Sequence, residues 1–356
     1  MTSSLADNPI DVGVLGATGM VGQQFVRLLD GHPWFRAAWL AASERSEGRR
    51  YGDAAAWRLS SPMPDEAAAR QVEACVPGRG PRLVFSALDA SAADTLEPAF
   101  AAAGHIVISN ARSFRMQDDV PLLIPEVNPD HLSLIDGQRR ARGWRGAIVT
   151  NPNCSTVALV MALAPLRVFG IRSVVTTTLQ AVSGAGYPGV PSLDIIGNVI
   201  PGIGGEEEKI ETETQKILGS LRDGRVAPHP MVVSAHTTRV PVVDGHTLTL
   251  SIAFEREQTP EAVAAALAEW RGRPQELNLP SAPARPIEYL AEGFRPQPRL
   301  DAERGRGMTV TVGRVRRCPL LGIKFVALGH NTVRGAAGAA ILNAELMAAE
   351  GRLDLD

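Results

Sequence analysis

The sequence predicts an α/β protein in two parts, a doubly wound parallel sheet at the N-terminus followed by an α+β domain. Three observations predict it. Short apolar runs alternate with helical runs through the first 150 residues, the order produced by parallel strands joined through crossover helices. Beyond that point the runs become longer and rich in β-formers. And 356 residues exceed what one hydrophobic core usually serves, so two cores sharing one site are expected.

Ile10 to Leu15 reads as a buried strand, GATGMVG as a turn, and QQFVRLLDG as a helix running to Gly31. FRAAWLAA (Phe35 to Ala42) is a second strand, followed by RLVFSAL, an Ala-rich helix near Ala90 to Ala103, and HIVISN. A helix from about Ser155 then leads into SVVTTTLQ, MVVSAHTTRVPV and HTLTLSIAFE, which read as strands. Between Ser183 and Gly205 lies a stretch dense in Gly and Pro, too long for an idle connector and expected near a site. The expected division is 1–150 and 151–331, with a C-terminal helix, 332–356, returning to the first domain.

Apolar residues make up 45% of the chain and charged residues 21%, with 36 Lys and Arg against 38 Asp and Glu. Such balance gives no field that would hold the chain on nucleic acid or an anionic membrane. The run Arg139, Arg140, Arg142, Arg145 reads as a solvated loop. The first residues lack the pattern of a signal peptide, and no segment has the ~18 consecutive apolar residues of a membrane helix, so a cytoplasmic protein is expected. Three cysteines without zinc-type spacing suggest neither a disulfide framework nor a metal site.

Gly13-Val14-Leu15-Gly16-Ala17-Thr18-Gly19-Met20-Val21-Gly22 places glycines where a strand turns sharply into a helix. That geometry lets a pyrophosphate approach the backbone, and the helix N-terminus offers free amides. The first domain is therefore expected to be a Rossmann-like dinucleotide-binding domain. NAD-preferring folds carry an acidic residue roughly 20 positions on; here the second strand ends AASERS, where Ser43 and Arg45 suit a 2′-phosphate and favour NADP, while Glu44 leaves NAD open.

Cys154 lies in NPNCSTVALVMALAPL, after a turn at Pro152 and Asn153 and at the start of an apolar helical run. Unpaired amides and the helix dipole stabilise a thiolate there. A lone cysteine is more often a small buried hydrophobe, the reading given to Cys75 and Cys318. His246, after the turn DGHT at a strand start, and Arg239, seven residues earlier, can face one cleft; alone, such a pair is more often a surface arginine and a structural histidine.

With GATGMVG, SNARSFRMQDDVPLLIPEVNP, NPNCST, LQAVSGAGYPG, EEEKI, TRVPVVDGHT and HNTVRGAAG in this order, the chain resembles aspartate-4-semialdehyde dehydrogenase over its whole length, particularly the archaeal and fungal branch. The resemblance implies an architecture similar to glyceraldehyde-3-phosphate dehydrogenase, its second domain serving catalysis and dimerisation, in a homodimer or homotetramer. It implies Cys154 as nucleophile, Gln180 as its orienting partner and His246 as general acid and base. Arg239 would grip the substrate carboxylate and Glu206 its ammonium group. Arg115 and Lys209 would bind inorganic phosphate, with Asn153 as a neutral neighbour. The cofactor would be lined by Gly16, Thr18, Gly19, Met20, Val21, Ser43, Arg45, Ser86, Ser183, Gly184 and Asn331. The implied reaction is phosphate-dependent, NADP-linked oxidation of the aldehyde through a cysteine thioester, run in reverse for amino-acid biosynthesis.

Glu206 rather than Glu207 rests on spacing to Lys209 alone, and without the resemblance GEEEKIETETQK would read as a solvated charged helix. Three positions depart from the family pattern: Ser155 for Thr, His330 for Gln, and Asp89 where a proline often stands. A malonyl-CoA reductase shares the fold and cysteine but needs no amine-binding Glu or phosphate-binding Lys. N-acetyl-glutamyl-phosphate reductase matches the motifs less well. A non-catalytic NADP-binding sensor would not need Cys154, Gln180, Arg239 and His246 together.

Overall fold

The computed structural model describes residues 8–353. Six parallel strands form the first sheet: β1 (Ile10–Leu15), β2 (Phe35–Ala42), β3 (Glu73–Ala74), β4 (Leu83–Ser86), β5 (Ile106–Ser109) and β6 (Ala147–Thr150), in the order β3-β2-β1-β4-β5-β6. Apolar side chains at both faces explain why these strands read as unbroken apolar runs; all four residues of β4, β5 and β6 are buried. The order reverses between β1 and β4. A sheet of this kind binds ligands at that point, outside the carboxyl ends of its strands.

Helix α1 (Met20–Leu29) follows β1, α2 (Ala90–Ala103) links β4 to β5, and α3 (Leu134–Arg142) precedes β6. Asp89, the departure from the family proline, caps α2 by accepting a hydrogen bond from Ala92 N–H at 3.0 Å. The basic run expected as a loop belongs largely to α3, where Arg142 pairs with Asp119.

After β6 comes α4 (Cys154–Leu163), buried on every side after its first residue. The second sheet has seven strands: β7 (Ile171–Gln180), β8 (Ile200–Pro201), β11 (Val232–Arg239), β12 (His246–Phe254), β13 (Ile287–Leu290), β14 (Val310–Cys318) and β15 (Gly322–Gly329), in the order β13-β14-β15-β12-β7-β11-β8; β9 (Ser220–Arg222) and β10 (Arg225–Ala227) form a separate hairpin. The register sets Arg239 opposite Gln180, Thr247 opposite Leu179, and His246 opposite Gly329. Gln180, Arg239, His246 and the residues after Gly329 therefore gather at one end of this sheet.

Helix α5 (Glu206–Ile217) packs on α4 and β11. The final helix, α6 (Gly338–Ala349), is shorter than the expected 332–356: Val333–Ala337 form a π-turn, the last residues of the range lie outside the described ones, and the helix stops at Ala349. Its Ala340, Ile341, Leu342 and Leu346 join Val12, Phe25, Phe85 and Ile108 in the core of the first sheet. A second core joins α4 and α5 to the second sheet. Among the described residues, no helix is long and apolar enough to cross a membrane.

Candidate active site

The glycine turn sits at the reversal point. Gly16 has φ +73°, and a side chain on Gly22 would place its Cβ 2.3 Å from the Gly16 carbonyl, so the turn closes this tightly only with glycine. No side chain caps α1 at Gly19, leaving its first amides for a ligand. Thr18, Gly19, Met20 and Val21 line a cavity of about 370 Å³ together with Ala87, Leu88, Asp89, Arg58 and Tyr187. The Arg58 guanidinium lies 4.2 Å over the Tyr187 ring, joining the two sides of the opening. This cradle fits a dinucleotide. Ser86 is buried at the end of β4, whereas Ser43 and Arg45 are exposed on the turn after β2 and do not line the cavity.

Cys154 is the first residue of α4, and its sulfur lies 3.2 Å from His246 Nε2. The turn before it is built by Asn153, whose carboxamide oxygen accepts from Ser155 and Thr156 N–H, a cap worth ~1 kcal/mol. His246 Nδ1 accepts from Ala181 N–H at 3.1 Å. The neutral ring must then carry its proton on Nε2 and point it at the sulfur. Burial pushes His246 down to about 3, helped by Arg239 and His330.

The expectation of a readily ionised thiol is corrected here. Burial pushes Cys154 up to about 12, Glu206 adds to this, and Arg115, Arg239 and the Ser155 amide oppose it without prevailing. Helix-terminal position favours the thiolate, but the half-buried setting strips away part of the water that would solvate it. The resting pair is a protonated thiol beside a neutral imidazole.

Arg239 is buried, its Nη1 donating to the Ala181 carbonyl at 2.7 Å. Gly184 packs against both groups; a Cβ there would lie 3.0 Å from Arg239 Nη1 and 3.2 Å from His246 Nε2. The Gly- and Pro-rich stretch therefore begins against the site, as expected. Ser183 accepts from Asn331 Nδ2 at 2.8 Å, while Asn331 Oδ1 accepts from Gly245 N–H. Gln180 shares this sheet end, but its Nε2 donates to Thr178 Oγ1 at 3.3 Å, along its own strand.

Glu206 accepts from Lys209 Nζ at 2.7 Å and from Asn153 Nδ2 at 2.6 Å. Glu207 instead accepts from Thr237 N–H, so of the two glutamates it is Glu206 that reaches the turn before Cys154. Its pair with Lys209 is partly enclosed rather than a solvated surface contact. Arg115 approaches from the loop after β5, its Nη1 held by Glu213 at 3.0 Å.

Several participants were missed in the sequence. Glu213 and Lys216 carry no motif of their own, although they repeat Glu206 and Lys209 seven positions on, and Gly335, inside HNTVRGAAG, was given no role. Nor can a sequence show a backbone donor such as Ala181 N–H. Asn343 Nδ2 donates to Asn151 Oδ1, and Asn151 Nδ2 donates to Asn110 Oδ1 and the Ala336 carbonyl, which ties three distant segments beneath the cysteine.

A dinucleotide cradle at the end of one sheet, facing a cysteine at a helix start and an arginine and a histidine at the end of the other sheet, marks a cofactor-binding dehydrogenase. Residues 11–135 match the semialdehyde dehydrogenase NAD binding domain, and residues 163–334 the semialdehyde dehydrogenase dimerisation domain, which implies an oligomer. The aspartate-semialdehyde dehydrogenase of Archaeoglobus fulgidus is 51% identical over 95% of this chain and 98% of its own, and that of Methanothermobacter thermautotrophicus 52% over 95% and 99%. The crystal structure of the Candida albicans enzyme with NADP superposes with a TM-score of 0.89 at 42% identity, covering 97% of this chain and 100% of that one. The chain is an enzyme and belongs to the aspartate-semialdehyde dehydrogenase family.

Proposed function

We propose that the chain interconverts L-aspartyl 4-phosphate and L-aspartate 4-semialdehyde plus phosphate, with NADP, in the cytoplasm, for synthesis of the aspartate family of amino acids. The observation that carries the reading is the gathering of Arg115, Glu206, Arg239 and His246 around Cys154 where the two sheets meet. Each suits a part of the substrate or of the chemistry.

Arg239 grips the α-carboxylate with its remaining guanidinium donors, and Glu206 takes the ammonium group when Lys209 turns to phosphate. Cys154 attacks the aldehyde carbon, giving a thiohemiacetal, while His246 moves the proton from sulfur to oxygen. For that transfer the ring must surrender the Ala181 N–H contact, because an Nδ1 that accepts cannot also carry a proton. NADP, when bound, takes the hydride and leaves a thioester on the sulfur. Phosphate held by Arg115 and Lys209 attacks the thioester carbon, and the sulfur departs. Biosynthesis reverses these steps.

The choice of NADP over NAD rests on the residue types Ser43 and Arg45 on the exposed turn after β2, which suit a 2′-phosphate although they do not line the cavity. Gln180, Asn153, Ser86, Ser183, Gly184 and Asn331 complete the proposed site, and the proposed domain boundaries are 150/151 and 331/332. The exposed face of the second sheet, with Val175 and Val232 open to solvent, suits assembly into a homodimer or a homotetramer.

The test follows NADPH formation from aspartate semialdehyde, NADP and phosphate by wild type and Cys154→Ala, with malonyl-CoA and NADPH in parallel. Phosphate-dependent oxidation lost in the variant is expected. Turnover of malonyl-CoA alone would overturn the substrate, and inactivity in both assays the catalytic reading.

A further inference from the structure

On α5, Glu206, Lys209, Glu213 and Lys216 recur at intervals of three and four and so share one helix face. The second pair holds the segment that carries Arg115. Glu213, 1% exposed, divides its carboxylate: Oε1 accepts from Arg115 Nη1 at 3.0 Å, and Oε2 accepts from the Asn153 backbone N–H at 2.6 Å. Lys216 Nζ donates to the carbonyls of Arg115, Gln117 and Val120 at 2.7, 2.7 and 3.0 Å. Arg115 Nη2 donates to the Asn110 carbonyl at 2.8 Å, while its Nε–H is buried with no partner among the described residues. A guanidinium anchored at both terminal nitrogens, with donors unused, is pre-set for an anion.

We propose that Glu213 is a positioning residue that ties the Arg115 guanidinium to the backbone just before the nucleophile, fixing where phosphate meets the Cys154 thioester. This deepens the functional reading above and rests on it. Charge alone would argue the reverse, since a carboxylate beside Arg115 weakens its pull on an anion. Glu213 acts through direction: one carboxylate spans two donors, and both must stay in place for phosphate to approach along a fixed line.

Glu213→Gln separates the two effects. It keeps the size but sets an NH₂ group against one of the two donors. The readouts are the phosphate KM and the phosphate-free burst of NADPH that reports thioester formation. The phosphate KM is expected to rise about tenfold, as for a lost charge-assisted hydrogen bond, with the burst slowed less than threefold. An unchanged or lower phosphate KM, or equal losses in both readouts, would overturn the proposal.

In an Arg115→Ala background, Glu213→Gln should add nothing further to the phosphate KM, and an additive effect would sink the coupling. Should the Gln variant not fold, Glu213→Asp, too short to span both donors, carries the same test with the same outcomes. A wild type whose aldehyde oxidation needs no phosphate would defeat the functional reading itself, a failure distinct from a phosphate-dependent enzyme indifferent to Glu213.

Discussion

Replacing Gly335 with alanine sets one methyl between the C-terminal return and the nucleophile. Its Cβ would lie 2.7 Å from Cys154 Cβ, 3.0 Å from Cys154 Cα and 3.3 Å from the Cys154 carbonyl oxygen. Carbon atoms prefer ~3.5–4.0 Å, so about 1 Å must be found, and both sides are backbone or nearly so. Gly335 is not among the glycines with positive φ. Helix propensity alone would favour alanine by ~1 kcal/mol, set against ~1–3 kcal/mol for overpacking. Net stability should thus fall by at most ~2 kcal/mol, a few degrees in Tm. The rate is more sensitive: displacing a reacting atom by about 1 Å can cost ~100-fold. Gly335→Ala should therefore lose kcat in phosphate-dependent NADPH formation out of proportion to its loss of Tm, with NADP affinity measured by fluorescence titration near wild type. A kcat within twofold of wild type would refute the contact.

Arg334 donates to both oxygens of Glu126, at 2.8 and 2.6 Å, with both side chains buried; Arg334→Met leaves an uncompensated carboxylate and should cost ~3–5 kcal/mol in urea unfolding, and a loss below ~1 kcal/mol would contradict the pairing. Burial pushes Glu97 up to about 6, against the bond from Ser109. With the folded value above the unfolded one, its contribution is complete below pH ~4.5 and lost as pH rises through 6, about 2 kcal/mol. Glu97→Gln should recover roughly that much at pH 7 and flatten the fall between those values; unaltered stability curves would exclude it. For His246, ring ¹⁵N shifts should report an unprotonated Nδ1 and a protonated Nε2 between pH 5 and 8, because burial and Ala181 N–H both oppose the imidazolium; two protonated nitrogens at neutral pH would reject the resting pair. The same shift has a stability sign: His246 is lowered, so the unfolded chain binds the extra proton first and stability falls as pH drops below 6.5.

What could be read in advance was whatever local periodicity or a motif encodes. Ile10–Leu15 and Phe35–Ala42 appear as strands with the expected bounds, since strands buried on both faces leave unbroken apolar runs. Cys154 at a helix start, His246 at a strand start and the glycine cradle were legible for the same reason. Charge states were not. The helix terminus of Cys154 is visible in sequence, but the burial that raises its thiol comes from segments distant in the chain that only the fold assembles. The Gln180 carboxamide turning to Thr178, and Ser43 and Arg45 lying outside the cavity lining, are likewise set by neighbours across strands and turns. The C-terminal helix read as unbroken from 332 because a π-turn keeps a helical pattern of small residues, and its extra residue per turn leaves no mark in composition.

The floor of the active site is laid by residues almost two hundred positions after it. Asn343 holds Asn151, and Gly335 abuts Cys154. During synthesis the glycine cradle emerges first and the nucleophile near the middle, yet the sulfur has nothing behind it until the last helix leaves the ribosome and docks. A nascent chain halted before that helix can hold every side chain proposed to act on the substrate and still lack the support under Asn151.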